Sequence, residues 1–244
     1  RLSSGKRINH ARDDAAGMAI SSKMTSQING MNQAVRNTND GISMVQTADG
    51  AMEGIADKLQ RMRELAVQSS NGIYSSSDRA ALDIEFQALD DEINRVASSA
   101  EFNGTNLIDA DAQIDIQVSY AADSTNGKIT VSLSGVDSTD LGINANVITS
   151  QAASSTAITA VDAALSTVNS ARATLGATQN RLETTVKDLK NNVENLSASR
   201  SRIEDADFAS ETAQLAKSQI LQQAGMAMLA QANQLPQQVL SLLR

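Results

Sequence analysis

One stretch restricts the fold more than any other. From Ile158 to Ile203, steps of three and four residues pick out Ile158, Val161, Leu165, Val168, Arg172, Leu175, Gln179, Leu182, Val186, Leu189, Val193, Leu196, Arg200 and Ile203. Eleven of these fourteen slots are apolar, and the one glycine in the stretch, Gly176, falls outside them. A 3-4 repeat held over this length places one apolar stripe along one helix, as in a coiled coil. At a rise of 1.5 Å per residue the helix would be about 70 Å long. Such a rod needs a partner helix to cover its stripe.

A partner is present upstream. Ile28, Met31, Val35, Thr38, Ile42, Val45, Asp49, Met52, Ala56 and Leu59 follow the same spacing, with eight of ten slots apolar. Gly30, Gly41, Gly50 and Gly54 interrupt this helix, each at a cost of about 1 kcal/mol relative to Ala. It should therefore hold only when packed, and its glycines would permit close backbone approach. Asn71-Gly72 and Ser75-Ser76-Ser77 end it, and a serine cap can start the next helix. There Leu82, Phe86, Leu89, Ile93, Val96 and Ala100 form a third stripe, which a short loop would fold back antiparallel. The period then falls to two at Ile114, Ile116, Val118 and Tyr120, and again at Ile129, Val131 and Leu133. Asn126-Gly127 lies between these runs, the pattern of a β-hairpin. Residues 135–155 read as a polar connection.

The expected fold is mainly α, an elongated antiparallel helical bundle or coiled-coil rod with a small β-hairpin region. Residues 1–20 form an irregular lead-in and 21–203 the rod domain, with helices at about 21–70, 78–100 and 156–203 and the hairpin at about 113–134. Residues 204–244 form a C-terminal helix. Lys217 is the only charge between Glu211 and Arg244, and Pro236 is expected to break the helix. An uncharged amide face beside an apolar one suits burial among copies, so this tail should be mobile in a monomer and ordered in an assembly.

Composition agrees with a thin, ring-poor interior: three Phe, two Tyr and no Trp. A net charge of −8 argues against a nucleic-acid partner. With no cysteine there is no thiol chemistry, and no run is long enough for membrane insertion. The chain opens on Arg1 without an initiator Met or signal-peptide pattern, and is expected to be a piece of a longer protein. His10 is the single histidine and reads as solvated, so no metal, cofactor or nucleophile–base pair is expected and no enzyme. The carboxylates Asp13-Asp14, Asp90-Asp91 and Glu204-Asp205-Ala206-Asp207 read as solvated or helix-start charges. Arg172 and Arg200 sit in seam slots and are expected to snorkel outward; the alternative is a register-fixing pair with an acid such as Asp49.

Five blocks carry a resemblance: RLSSGKRINHARDDAAGMAI, DGISMVQTADGAM, LQRMRELAVQSSNG, EFNGTNL and AMLAQANQLPQQVLSLLR. In this order they resemble bacterial flagellin along almost the whole chain. The resemblance implies a helical rod with an outer β-hairpin, and terminal helices that pair in the inner tube of a filament. Flagellins usually carry a further helix before the RLSSG block, which is not present here. After Asp140-Leu141-Gly142, where larger flagellins insert variable outer domains, only a short polar connection follows, so this resembles a minimal form. It implies a secreted structural subunit of the extracellular bacterial flagellum, polymerised for swimming motility. Implied partners are further copies of itself, an export chaperone and the type III export apparatus, and the filament cap and junction proteins. In hosts, toll-like receptor 5 is implied.

LQRMRELAVQ resembles the segment this innate immune receptor reads, which implies Arg61, Leu65 and Glu85 as contacts with neighbours Gln60 and Arg63. Arg61 and Leu65, four apart, would share a helix face. Val239, Leu240, Leu242 and Leu243 resemble the hydrophobic end read by cytosolic sensors and, nearby, by the export chaperone. Alternative readings are a hook–filament junction protein, or a flagellin-like cell-surface receptor for a polysaccharide.

Overall fold

The computed structural model describes residues 2–121 and 127–242, with side-chain surroundings as far as residue 231. Four helices and two small antiparallel ribbons follow in chain order. Helix α1 is Ala15–Ser69, α2 Ser76–Ser99, and strands β1 and β2 are Glu101–Phe102 and Thr105–Asn106. Strands β3 and β4 are Ala112–Gln117 and Lys128–Leu133, followed by α3, Gln151–Glu204, and α4, Phe208–Leu242. The fold is thus mainly helical with a small hairpin. The chain divides into two compact units, Asn29–Asn192 and a unit formed by Arg1–Ile28 with Val193–Arg244.

In the Asn29–Asn192 unit, α1 and α3 run antiparallel. As α1 advances from Asp49 to Arg63, its ion-pair partner on α3 retreats from Arg172 to Asp162. The seam between them buries Val45, Met52, Ile55 and Leu59 against a stripe containing Val161, Val168, Leu175 and Leu182. Helix α2 adds Phe86 and Ile93, and Phe86 is the only ring among the largest fully buried side chains. Ser75 caps α2 through a reciprocal box with Asp78, which satisfies two otherwise orphan backbone donors. Helix α3 starts at Gln151, before the apolar stripe, because Ser150 takes the N–H of Ala153 on its hydroxyl at 3.2 Å.

The hairpin pairs Ala112 with Leu133 and Gln117 with Lys128. Ile129, Val131 and Leu133 alternate inward and join the helical core. Asn126 of the expected turn lies outside the described residues. Two glycines of α1 account for how the hairpin region sits on the helix. A Cβ on Gly30 would stand 2.6 Å from Tyr120 Cβ, and one on Gly41 would collide with Ile116 Cδ1. Asn103 and Gly104 both adopt positive φ, 51° and 77°, which closes the β1–β2 ribbon in a tight turn.

The connection after β4 is not loose. Asp83, Gln87, Asp90 and Asn94 project from α2 at a 4-3-4 spacing and hold it from below. Asp83 accepts the N–H of Ile148 at 2.7 Å, and Gln87 donates to the carbonyl of Asn146 at 2.9 Å. Asn94 accepts the N–H of Ser138 at 2.9 Å, and the Ser138 side chain lies beside the Asp90 carboxyl. Asp90 is therefore buried, at 8% exposure, not solvated as its position beside Asp91 suggested. What approaches its helix face is backbone rich in hydrogen-bonding groups, so a polar stripe is accommodated there.

In the unit of the chain ends, Asp14 caps α1 by accepting the N–H of Gly17 at 2.8 Å, and the helix begins six residues before the expected position. The preceding segment is anchored to the end of α3. Lys6 pairs with the Glu204 carboxylate, Ser21 donates to its other oxygen at 2.7 Å, and Arg7 reaches the carbonyl of Ile203 at 2.7 Å. Arg200 is half-buried and reaches across to α1, where its guanidinium Nη1 donates to the Thr25 hydroxyl at 3.2 Å, rather than only extending outward. Helix α4 continues through Pro236 to Leu242, where a break was expected. A proline removes one backbone donor, and the bonds on either side can carry the helix past it.

Candidate functional site

The candidate surface lies on α1 and α2 of the Asn29–Asn192 unit. Arg61 on α1 donates through Nε to Glu85 on α2 at 2.9 Å and through Nη1 to Glu64 at 3.0 Å. Arg63 donates through Nε to Asp162 on α3 at 2.6 Å. Bonds to these carboxylates raise both arginine pKa values further above the ordinary range, Glu85 contributing most at Arg61 and Asp162 at Arg63. All four side chains of the two inter-helix pairs are about half exposed, so the pairs orient a charged surface more than they stabilise the fold. Gln60 is exposed beside them. Beside Glu85, Ile84 on α2 is 74% exposed.

Leu65 does not belong to this surface. It is 1% exposed and packs in the core with Met62 and Ala66. Four residues advance a helix by about 400°, which leaves Leu65 roughly 40° around from Arg61 toward the buried side. The long arginine extends outward from that border, and the short leucine cannot. The structure therefore brings Gln60, Arg61, Arg63 and Glu85 to the surface and withdraws Leu65. Asp162 was not anticipated, since nothing local in sequence ties residue 162 to residue 63; Glu64, three residues from Arg61, could have been found from its i,i+3 spacing on the helix.

The second candidate is α4. Between Phe208 and residue 231 nearly every side chain is exposed, including Phe208, Leu215, Ile220, Leu221, Met226, Met228 and Leu229. Large apolar side chains grouped in this way mark a surface that binds something. The side chains of Val239, Leu240, Leu242 and Leu243 lie outside the described residues. His10 is exposed, and its backbone N–H donates to Asp13. Among the described residues no group of three or more His, Asp or Glu could hold a metal ion. No helix among them is long and apolar enough to cross a membrane.

Paired amphipathic helices and a solvent-facing terminal helix whose only charges are Glu211 and Lys217 suit a structural subunit, a protein whose chemistry is association. The chain belongs to the bacterial flagellin family. Residues 1–113 match the flagellin N-terminal helical region, and residues 158–243 match the flagellin C-terminal helical region. A flagellin of Halalkalibacterium halodurans is 50% identical over 246 residues, covering 100% of this chain and 90% of its relative. The flagellar filament 33 kDa core protein of Treponema phagedenis is 44% identical, with the same coverage of each chain. Among solved structures, a Bacillus cereus flagellin matches with a TM-score of 0.57 at 33% identity, over 63% of this chain and 88% of that one. A flagellar hook-associated protein from Vibrio parahaemolyticus shares the fold, with a TM-score of 0.66 over 79% of this chain and 100% of that one, at 12% identity.

The chain is thus a minimal, flagellin-type structural subunit for filament assembly, a secreted protein of the bacterial flagellum. The junction-protein reading shares the fold alone, and the polysaccharide-receptor reading has nothing further in its favour.

Proposed function

We propose that α4 is the surface through which copies join into the filament. We further propose that its C-terminal end, including Val239, Leu240, Leu242 and Leu243, is what the export chaperone and host cytosolic sensors read. The supporting observation is the run of exposed large apolar side chains from Phe208 to Leu229 on a helix whose only charges after Glu211 are Lys217 and the terminal Arg244. Water is a poor environment for that face, and neighbouring α4 helices are a good one. The subunit passes the type III export apparatus and adds beneath the filament cap. Truncation after Asp207 tests the assembly role. The truncated protein keeps the helical circular dichroism of α1–α3 but fails to extend filament seeds under electron microscopy, whereas the untruncated protein extends them. Filaments grown from the truncated subunit would refute it.

Along the exposed side of α1, Gln60, Arg61 at the α2 border with Glu85, and Arg63 at the α3 border form the contact for toll-like receptor 5, with Leu65 supporting them from beneath. The supporting observation is the exposed Arg61–Glu85 pair, which ties side chains from two helices together at the surface. Arg61→Ala lowers receptor signalling several-fold with circular dichroism unchanged. Leu65→Ala acts through stability and lowers the melting temperature. An Arg61→Ala dose response equal to wild type would remove this assignment.

A further inference from the structure

Asp90 is a carboxyl group in a place built for a neutral one. It is 8% exposed on α2, beneath residues 137–148, the strap that joins β4 to α3. The Ser138 side chain, itself 2% exposed, lies beside its carboxyl, and Oδ1 has no hydrogen-bond partner among the described residues. The charged groups that act on it are both acids, Asp91 on its own helix and Asp137 at the start of the strap. Beyond them Asp140 of the strap shares its surroundings with Asp137, Asp111 and Asp109, and burial with this repulsion raises its pKa as well. No cation stands among the groups that perturb either carboxyl, and no cluster of described residues is fit to hold a metal ion. A proton is what remains to neutralise the site.

We propose that Asp90 is a proton-operated latch: protonated, it keeps the strap docked on α2, and ionised, it places an unpaired buried charge among acids and lifts the strap. The remaining contacts decide how far release spreads. Asp83, Gln87 and Asn94 hold the strap through its backbone at Ile148, Asn146 and Ser138. At the far end Ser69 and Ser154 take the carbonyl of Ile148 in a buried cluster. Asn94 shares its strap residue with Asp90, so opening begins at Ser138, and the Ile148 end stays fixed.

Burial, followed by the charges of Asp91 and Asp137, holds the Asp90 pKa above the ordinary carboxylate value, against the opposing pull of the neighbouring Ser138 side chain. The docked strap then binds the proton more tightly than the released one. Docking is strongest below the ordinary aspartate range and weakens as pH rises toward the raised value, by up to about tenfold in the opening constant per pH unit.

Amide hydrogen exchange at Ser138 and Ile143 in the intact protein tests this from pH 4 to 8, corrected for intrinsic exchange. Wild type should show a rising opening constant that levels off at high pH, with Ile148 changing less. Asp90→Asn should remove the rise, and Asp91→Asn should retain it. Equal slopes in wild type and Asp90→Asn would overturn the latch. So would restoration of protection at pH 8 by calcium chloride alone, which would make the site a cation site. A carboxyl 13C titration of Asp90 in the wild-type protein gives a check that needs no variant, and a midpoint at or below the ordinary aspartate value would overturn the proposal.

Discussion

Arg172 of α3 donates to Asp49 of α1 at 2.8 Å, with Glu53 a further turn along at 3.5 Å. Both residues of the pair occupy slots of the apolar stripes, and each keeps about a third of its side chain in solvent. The arginine therefore does what snorkelling predicts and also pairs with an acid, because the border of a thin bundle lies within reach of both. This corrects the expectation that it would only extend outward.

A pair that keeps about a third of each side chain in solvent contributes little to stability. In a double-mutant cycle of Arg172→Met and Asp49→Asn, followed by denaturant unfolding, the coupling is expected at or below about 1 kcal/mol. A coupling of about 3 kcal/mol would show that the pair behaves as a buried one.

Two α1 glycines separate backbone accommodation from simple helix cost. Gly50 has nothing within 4 Å of an added Cβ, so Gly50→Ala should raise stability by about 0.5–1 kcal/mol. Gly30 faces Tyr120, with its Cβ at 2.6 Å and its Cα at 3.3 Å. Gly30→Ala should therefore lower stability by about 1–3 kcal/mol, because backbone near the hairpin must move. Thermal unfolding of the two variants beside wild type measures both signs.

Glu204 makes the anchoring of the N-terminal segment sensitive to acid. Bonds from Lys6 and then Ser21 hold its carboxyl below the ordinary glutamate value. The stability it contributes is fully present above the unfolded pKa of about 4.3 and is lost as pH falls through the lowered folded value. Exchange of the Arg7 amide, which donates to the Glu204 carbonyl at 2.7 Å, should rise relative to its intrinsic rate on acidification below about pH 4. Lys6→Met should shift that loss to higher pH.

Much of the helical core was legible because its signal is repeated. Every slot from Ile158 to Ile203 is buried or half-buried, and period two located Ile129, Val131 and Leu133 on the inner face of β4. The 4-3-4 spacing of Asp83, Gln87, Asp90 and Asn94 was equally available, but a polar stripe is ordinarily a solvated one. Only the strap makes it an inward face. Arg63 and Asp162 lie 99 residues apart, and no local pattern relates them.

By itself the sequence determined what repeats and what is missing: long amphipathic helices, a ring-poor core, a charge-poor terminal helix, and a set of motifs that identify a flagellin. Periodicity suffices for these because it sets the angle of each side chain about its own helix. The tertiary structure decided what that angle means. Leu65 is core although it stands about 40° from the exposed Arg61, and Asp90 is interior on a polar face. Burial depends on what another element brings against a residue, and that element is set by chain segments distant in sequence.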